Sequence, residues 1–151
     1  MIVLDTNVVS ELMKPAPAYA VAAWIGARPT QSLYTTSITQ AEILHGVMLL
    51  PDGKRREALE AAAHAMFRED FAGRILAFGA DAALPYAQIA VDRRAAGRPI
   101  SQFDAQIAAI VPISVKSITR FGEDDQPFRE FPITPSERSD DQVRVGCYLL
   151  G

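Results

Sequence analysis

Three acidic residues, Asp5, Glu42 and Asp104, stand where the sequence passes from an apolar stretch or a turn into a helical pattern. In an open α/β layer such transitions line one edge of the sheet, the edge at which ligand sites form. Carboxylates gathered within ~5–8 Å repel strongly unless a divalent cation neutralises them. With no histidine or cysteine among the three, the donors are oxygen only, which suits Mg2+ or Mn2+. Such an ion orients a water, lowers its pKa and stabilises charge on a phosphate in transfer. If the three acids converge, they imply metal-dependent phosphodiester cleavage.

Each acid also has a structural job open to it. Thr39-x-x-Glu42 and Ser101-x-x-Asp104 both have the spacing of a capping box, which satisfies the first N–H groups of a helix. Asp5 fits a plain N-cap. Glu42-x-x-His45 occurs once, whereas a di-iron bundle uses the pair twice, and the other histidine, His64, lies in an alanine-rich stretch. His45 therefore reads as a helix-face residue. The sequence has no phosphate-binding glycine loop and no Gly-x-Ser-x-Gly, so nucleotide binding and serine hydrolysis have no support.

The elements that must position these acids follow from periodicity. Ile2-Val3-Leu4 reads as a short strand buried on both faces, with Asp5 at its carboxyl end. Residues 8–14 read as a helix stopped by Pro15 and Pro17, and 18–27 as a second, with Val21, Trp24 and Ile25 at helical spacing. Residues 32–36 have strand composition. A helix from Thr39 through Leu44, Val47 and Met48 ends at the turn Pro51-Asp52-Gly53. An alanine-rich helix over 54–67, a strand over 74–78, a helix over 81–96 stopped by Gly97, and a helix over 101–110 complete the pattern. Strands alternating with helices predict an α/β fold, a short parallel sheet sandwiched by helices.

Composition changes after residue 110. Residues 1–110 hold all 24 alanines and 111–151 hold none, so the two stretches differ in kind. The reading is a main domain over 1–110 and an atypical segment over 111–151, with 136–142 polar enough to be unstructured. A strand over 111–119 is expected, with Pro112 holding it to a sheet edge or standing in the strand's first positions.

The net charge of −3 excludes a global basic field, so contact with nucleic acid falls to local clusters: Lys54-Arg55-Arg56, and Arg93-Arg94 with Arg98. Single Cys147 excludes an internal disulfide framework. The first apolar run stops at Asp5, so neither a signal peptide nor a membrane span is expected and the default location is the cytoplasm.

In IVLDTNVVSEL, TTSITQAEILHGV, AGRILAF and ISQFDAQIAAI, taken in that order, the chain resembles the PIN-domain family, specifically its VapC and FitB-like toxins of type II toxin–antitoxin (plasmid stability) systems. The resemblance covers about residues 1–110. It implies a Mg2+- or Mn2+-dependent ribonuclease with Asp5, Glu42 and Asp104 as catalytic and metal-binding acids, and Thr6 and Asn7 at the family's polar positions. It also implies an RNA substrate, a cognate antitoxin through which operator DNA is met only indirectly, and a homodimer. Leu44, Val47, Met48 and the helix around Trp24 read most simply as core; the resemblance implies that part of this surface instead pairs a second copy or receives the antitoxin.

The C-terminal segment departs from the family. Ser117-Ile118-Thr119-Arg120 is followed by Phe121 where the family carries a fourth acidic or amide residue, and no spacing selects Glu123, Asp124 or Asp125 in its place. A recombined gene end or a shifted reading frame after codon 110 would account for this. A shifted frame predicts that another frame of the coding DNA encodes an apolar strand followed by Thr-Arg-Asn or Thr-Arg-Asp. With that position altered, the alternative function is a catalytically impaired binding module that acts with a DNA-binding antitoxin in transcriptional autoregulation.

Overall fold

The computed structural model describes residues 1–110 and the backbone of 111–114, 117–120 and 129–132. Phe121, the acids Glu123, Asp124 and Asp125, the polar run 136–142 and Cys147 lie outside the described residues.

Strand β1 (Ile2–Leu4) is the middle of a five-stranded sheet in the order β3-β2-β1-β4-β5. Strands β2 (Leu33–Thr36) and β4 (Ser117–Arg120) flank it, both parallel to it, with Ile2 opposite Leu33 and Leu4 opposite Thr119. Strand β3 (Ile75–Leu76) extends the parallel part beyond β2, and β5 (Arg129–Pro132) pairs antiparallel with β4. Val3 and Leu4 are completely buried, as an apolar triplet in a central parallel strand must be.

Helices α1 (Thr6–Leu12) and α2 (Tyr19–Gly26) connect β1 to β2. Helices α3 (Ser37–Met48) and α4 (Lys54–Ala65), the latter extended by a wide turn over Met66–Asp70, lead to β3. Helices α5 (Ala83–Ala95) and α6 (Gln102–Ser114) lead to β4. Leu4, Val8, Val9, Val21, Phe67 and Phe71 belong to one apolar cluster, and Ala82, Ala109 and Ile110 to a second on which Tyr86 and Ile89 of α5 pack. The parallel sheet flanked by helices agrees with the periodicity.

Two boundaries differ from that reading. The helical pattern of 101–110 continues to Ser114, so Pro112 stands inside the last turns of α6 and not in an edge strand. The strand is the shorter Ser117–Arg120, and it lies beside β1 in the interior of the sheet. The element boundary thus falls later than the alanine break. In addition, α1 starts at Thr6 and α3 at Ser37, each two residues earlier than periodicity placed them, because the residue before each caps it.

The chain leaves β1 toward β2 on one side and returns to β4 on the other. The carboxyl end of β1 is therefore the point where the strand order reverses, the crevice in which open α/β sheets hold ligands.

Candidate functional site

Asp5 occupies that point. Burial of Val3 and Leu4 delivers it to the carboxyl end of β1, and only 6% of it is exposed. Its Oδ1 accepts from the Val8 backbone N–H at 2.9 Å and its carbonyl from Val9 N–H at 3.1 Å, so Asp5 is the N-cap of α1. The cap uses one carboxylate oxygen. Beside it, the buried Thr35 hydroxyl donates to the Leu4 carbonyl at 3.2 Å and binds β2 to β1 at the same end.

Glu42 is not a capping residue. The cap of α3 is the fully buried Thr36, whose Oγ1 accepts from Thr39 N–H at 3.0 Å. Glu42 then falls in the second turn, out of reach of the cap, which overturns the Thr39-x-x-Glu42 box. Its Oε2 instead accepts from Thr6 Oγ1 at 2.5 Å. This puts Glu42, half-buried, against the residue that follows Asp5.

At Asp104 the cap is real: Ser101 Oγ accepts from Asp104 N–H at 3.1 Å, and Ser101 C=O from Ala105 N–H at 3.1 Å. Asp104 itself is 3% exposed. Its place follows from topology. Helix α6 feeds β4, which runs parallel to β1, so α6 runs back toward the carboxyl edge in its N-terminal direction. Asp5, the start of α3 and the start of α6 thus share one edge.

In kind these donors fit a hard divalent cation: all are carboxylate oxygens, and two of the three side chains are buried. Among the described residues, no group of three or more His, Cys, Asp or Glu side chains stands close enough to hold an ion. His45 and His64 are exposed on their helices. Asn7 is half-buried, and its carbonyl accepts from Ser10 Oγ at 3.0 Å. Sequence reasoning missed the hydroxyl pair Thr35 and Thr36. Their signal was two threonines closing a strand immediately before a helix, the usual setting for a cap.

Of the basic clusters, Arg56 pairs with Asp52 at 2.5 Å, while Lys54 and Arg55 are exposed. Among the described residues no helix is long and apolar enough to cross a membrane.

The PIN domain family model matches residues 2–119. The chain is 42% identical over 109 residues to a VapC ribonuclease of Sinorhizobium fredii, covering 72% of this chain and 78% of that protein. It is 40% identical over 109 residues to toxin FitB of Neisseria gonorrhoeae, with the same coverage of 72% and 78%. Among solved structures, FitAB bound to a DNA fragment superposes with a TM-score of 0.68 at 39% identity, covering 75% of this chain and 79% of that one. DNA-bound VapBC of Salmonella typhimurium, at 22% identity and a TM-score of 0.60, shares the fold over 72% of this chain and 76% of that one. The chain belongs to the PIN-domain family, among the VapC- and FitB-like toxins of toxin–antitoxin systems.

Proposed function

We propose that this toxin is a Mg2+- or Mn2+-dependent endoribonuclease. The observation that carries the reading is the placement of buried Asp5 at the strand-order reversal, with buried Asp104 on a helix that begins at the same edge. Asp5 and Asp104 would hold the cation, and Glu42 would complete the acidic set. When bound, the cation supplies charge neutralisation at the scissile phosphate and a water of lowered pKa. Glu42, steadied by Thr6, would stand to orient a water or accept its proton, and burial of the two aspartates would keep bulk water from screening the site. Its place of action would be the cytoplasm.

The test is cleavage of a labelled single-stranded RNA by the full chain with and without Mg2+ or Mn2+. Wild type cuts only with the metal, and neither Asp5→Asn nor Asp104→Asn cuts at all. Full activity in both variants would remove the assignment.

The cognate antitoxin is the expected protein partner, because relatives of known structure are toxin–antitoxin complexes, some of them on DNA. A second copy of the chain is the other expected partner. Leu84 and Val91, seven residues apart on α5, are 77% and 62% exposed, an apolar face that a homodimer would cover. The DNA-bound FitAB structure also favours a second reading, a module that steers transcription through its antitoxin. A band shift on the gene's own upstream DNA that needs both proteins, together with no RNA cleavage by the toxin alone, would select that reading.

A further inference from the structure

We infer that Arg93, with Arg94 and Arg98, seats the phosphodiester backbone of RNA beside the acidic edge, an inference that rests on the nuclease reading above. On α5, Tyr86 and Ile89 face the apolar cluster that contains Ala109 and Ile110 of α6. Arg93 continues this inward stripe one turn later, where an aliphatic residue would extend the packing. Arg93 is half-buried, and its Nε is enclosed without a hydrogen-bond partner, the one such side-chain atom among the described residues. Because the Nε itself is enclosed, contact with an anion falls to the terminal nitrogens of the guanidinium.

The turn after α5 brings two more cations to the same helix end. Gly97 takes φ +70°, a left-handed conformation that glycine adopts without strain. The chain folds back so that Arg98 N–H donates to the Arg93 carbonyl at 2.9 Å and Gly97 N–H to the Arg94 carbonyl at 3.1 Å. Three arginines therefore follow one another around a helix C-terminus, where the backbone dipole favours cations. Their flat, forked donors match phosphate oxygens better than an ammonium does.

The location decides what they serve. Helices α5 and α6 pack together and are joined by a short turn, so the end of α5 and the start of α6 lie at one end of the pair. That end carries Asp104 in the first turn of α6. The other basic run, Lys54-Arg55-Arg56, opens α4 beyond the far end of α3, roughly 18 Å of helix away from this edge. Topology thus separates two clusters that the sequence leaves equivalent.

The test measures binding of a fluorescein-labelled single-stranded RNA by anisotropy over a range of KCl, with Ca2+ in place of Mg2+, and follows cleavage separately in Mg2+. Each phosphate contact contributes about 0.7 to the slope of log K against log salt. Arg93→Gln should lower that slope by about 0.7 and weaken binding about tenfold. Because Arg93 is half-buried, Arg94→Gln/Arg98→Gln, which alters exposed positions only, is measured beside it and should lower the slope by about 1.4. Lys54→Gln/Arg55→Gln should leave both slope and affinity as in wild type. Wild-type slope and affinity in the folded α5 variants, or an equal loss in the α4 variant, would overturn the inference while a wild type that cuts RNA keeps the nuclease reading. A wild type that neither binds nor cuts RNA sinks both.

Discussion

Thr6 Oγ1 donates to Glu42 Oε2 at 2.5 Å, joining the first residue of α1 to the second turn of α3 across 36 positions of sequence. A hydrogen bond to a charged group contributes about 1.5–3 kcal/mol. Here it also removes rotamer freedom from a long acid that must point at one place. Thr6→Val keeps the shape and deletes the donor, so RNA cleavage should fall about ten- to a hundredfold. Thr6→Ser, which restores the hydroxyl, should recover most of the activity. Equal kcat/KM in wild type and Thr6→Val would show that Glu42 needs no such support.

Asp5 does two jobs that substitution separates. Asparagine caps a helix as well as aspartate, whereas alanine at this position costs about 1 kcal/mol. Asp5→Ala should lower Tm by about 2–4 °C, and Asp5→Asn should leave it near wild type. Both should abolish cleavage. Thermal melts read the cap and RNA gels read the site; a low Tm in the asparagine variant would mean that the negative charge, not the cap, holds this end of α1.

Thr36 is the cap of α3, and both it and Thr39 are fully buried. Its hydroxyl also lies 3.1 Å from the Thr39 hydroxyl. Thr36→Val would leave the Thr39 N–H without this acceptor in a dry environment, at a cost of about 1–3 kcal/mol. Urea denaturation should show a lower midpoint with an unchanged m-value. An unaltered midpoint would place the anchoring of α3 elsewhere.

The local part of this fold was legible and the non-local part was not. Ile2-Val3-Leu4 followed by Asp5 reads as a strand ending in an acid because two-sided burial leaves an uninterrupted apolar run. Gly97 as the stop of α5 follows equally from one residue's backbone freedom. The cap of α3 escaped because Thr35, Thr36, Ser37 and Thr39 all offer a hydroxyl near the helix start, and only the end of β2 decides which one caps. The bond between Glu42 and Thr6 crosses from one helix to another, so no spacing rule could state it. The start of the strand beside β1 is not legible because Pro112, which suits an edge strand or a strand's first positions, sits within the continued helix. The resemblance to PIN domains supplied Asp5, Glu42 and Asp104 as a set; burial and topology then gave two of them a shared edge.

Glu11, near the end of α1, ties that helix to the start of α2. Its carboxylate accepts from Lys14 Nζ at 2.5 Å and from the Ala18 backbone N–H at 2.9 Å. The Lys14 bond first, and the Ala18 bond second, hold its pKa below the ordinary value of 4.5 despite an opposing desolvation effect. The folded value is below the unfolded one, so the contribution to stability is complete above the unfolded value. It is lost as pH falls through the folded value. Glu11→Gln should therefore be less stable than wild type at neutral pH, and the gap should narrow at a pH well below 4.5, where the wild-type carboxylate takes up its proton. Urea midpoints of both proteins at the two pH values read this directly. A gap of constant size would mean that the α1–α2 connection draws nothing from the charge on Glu11.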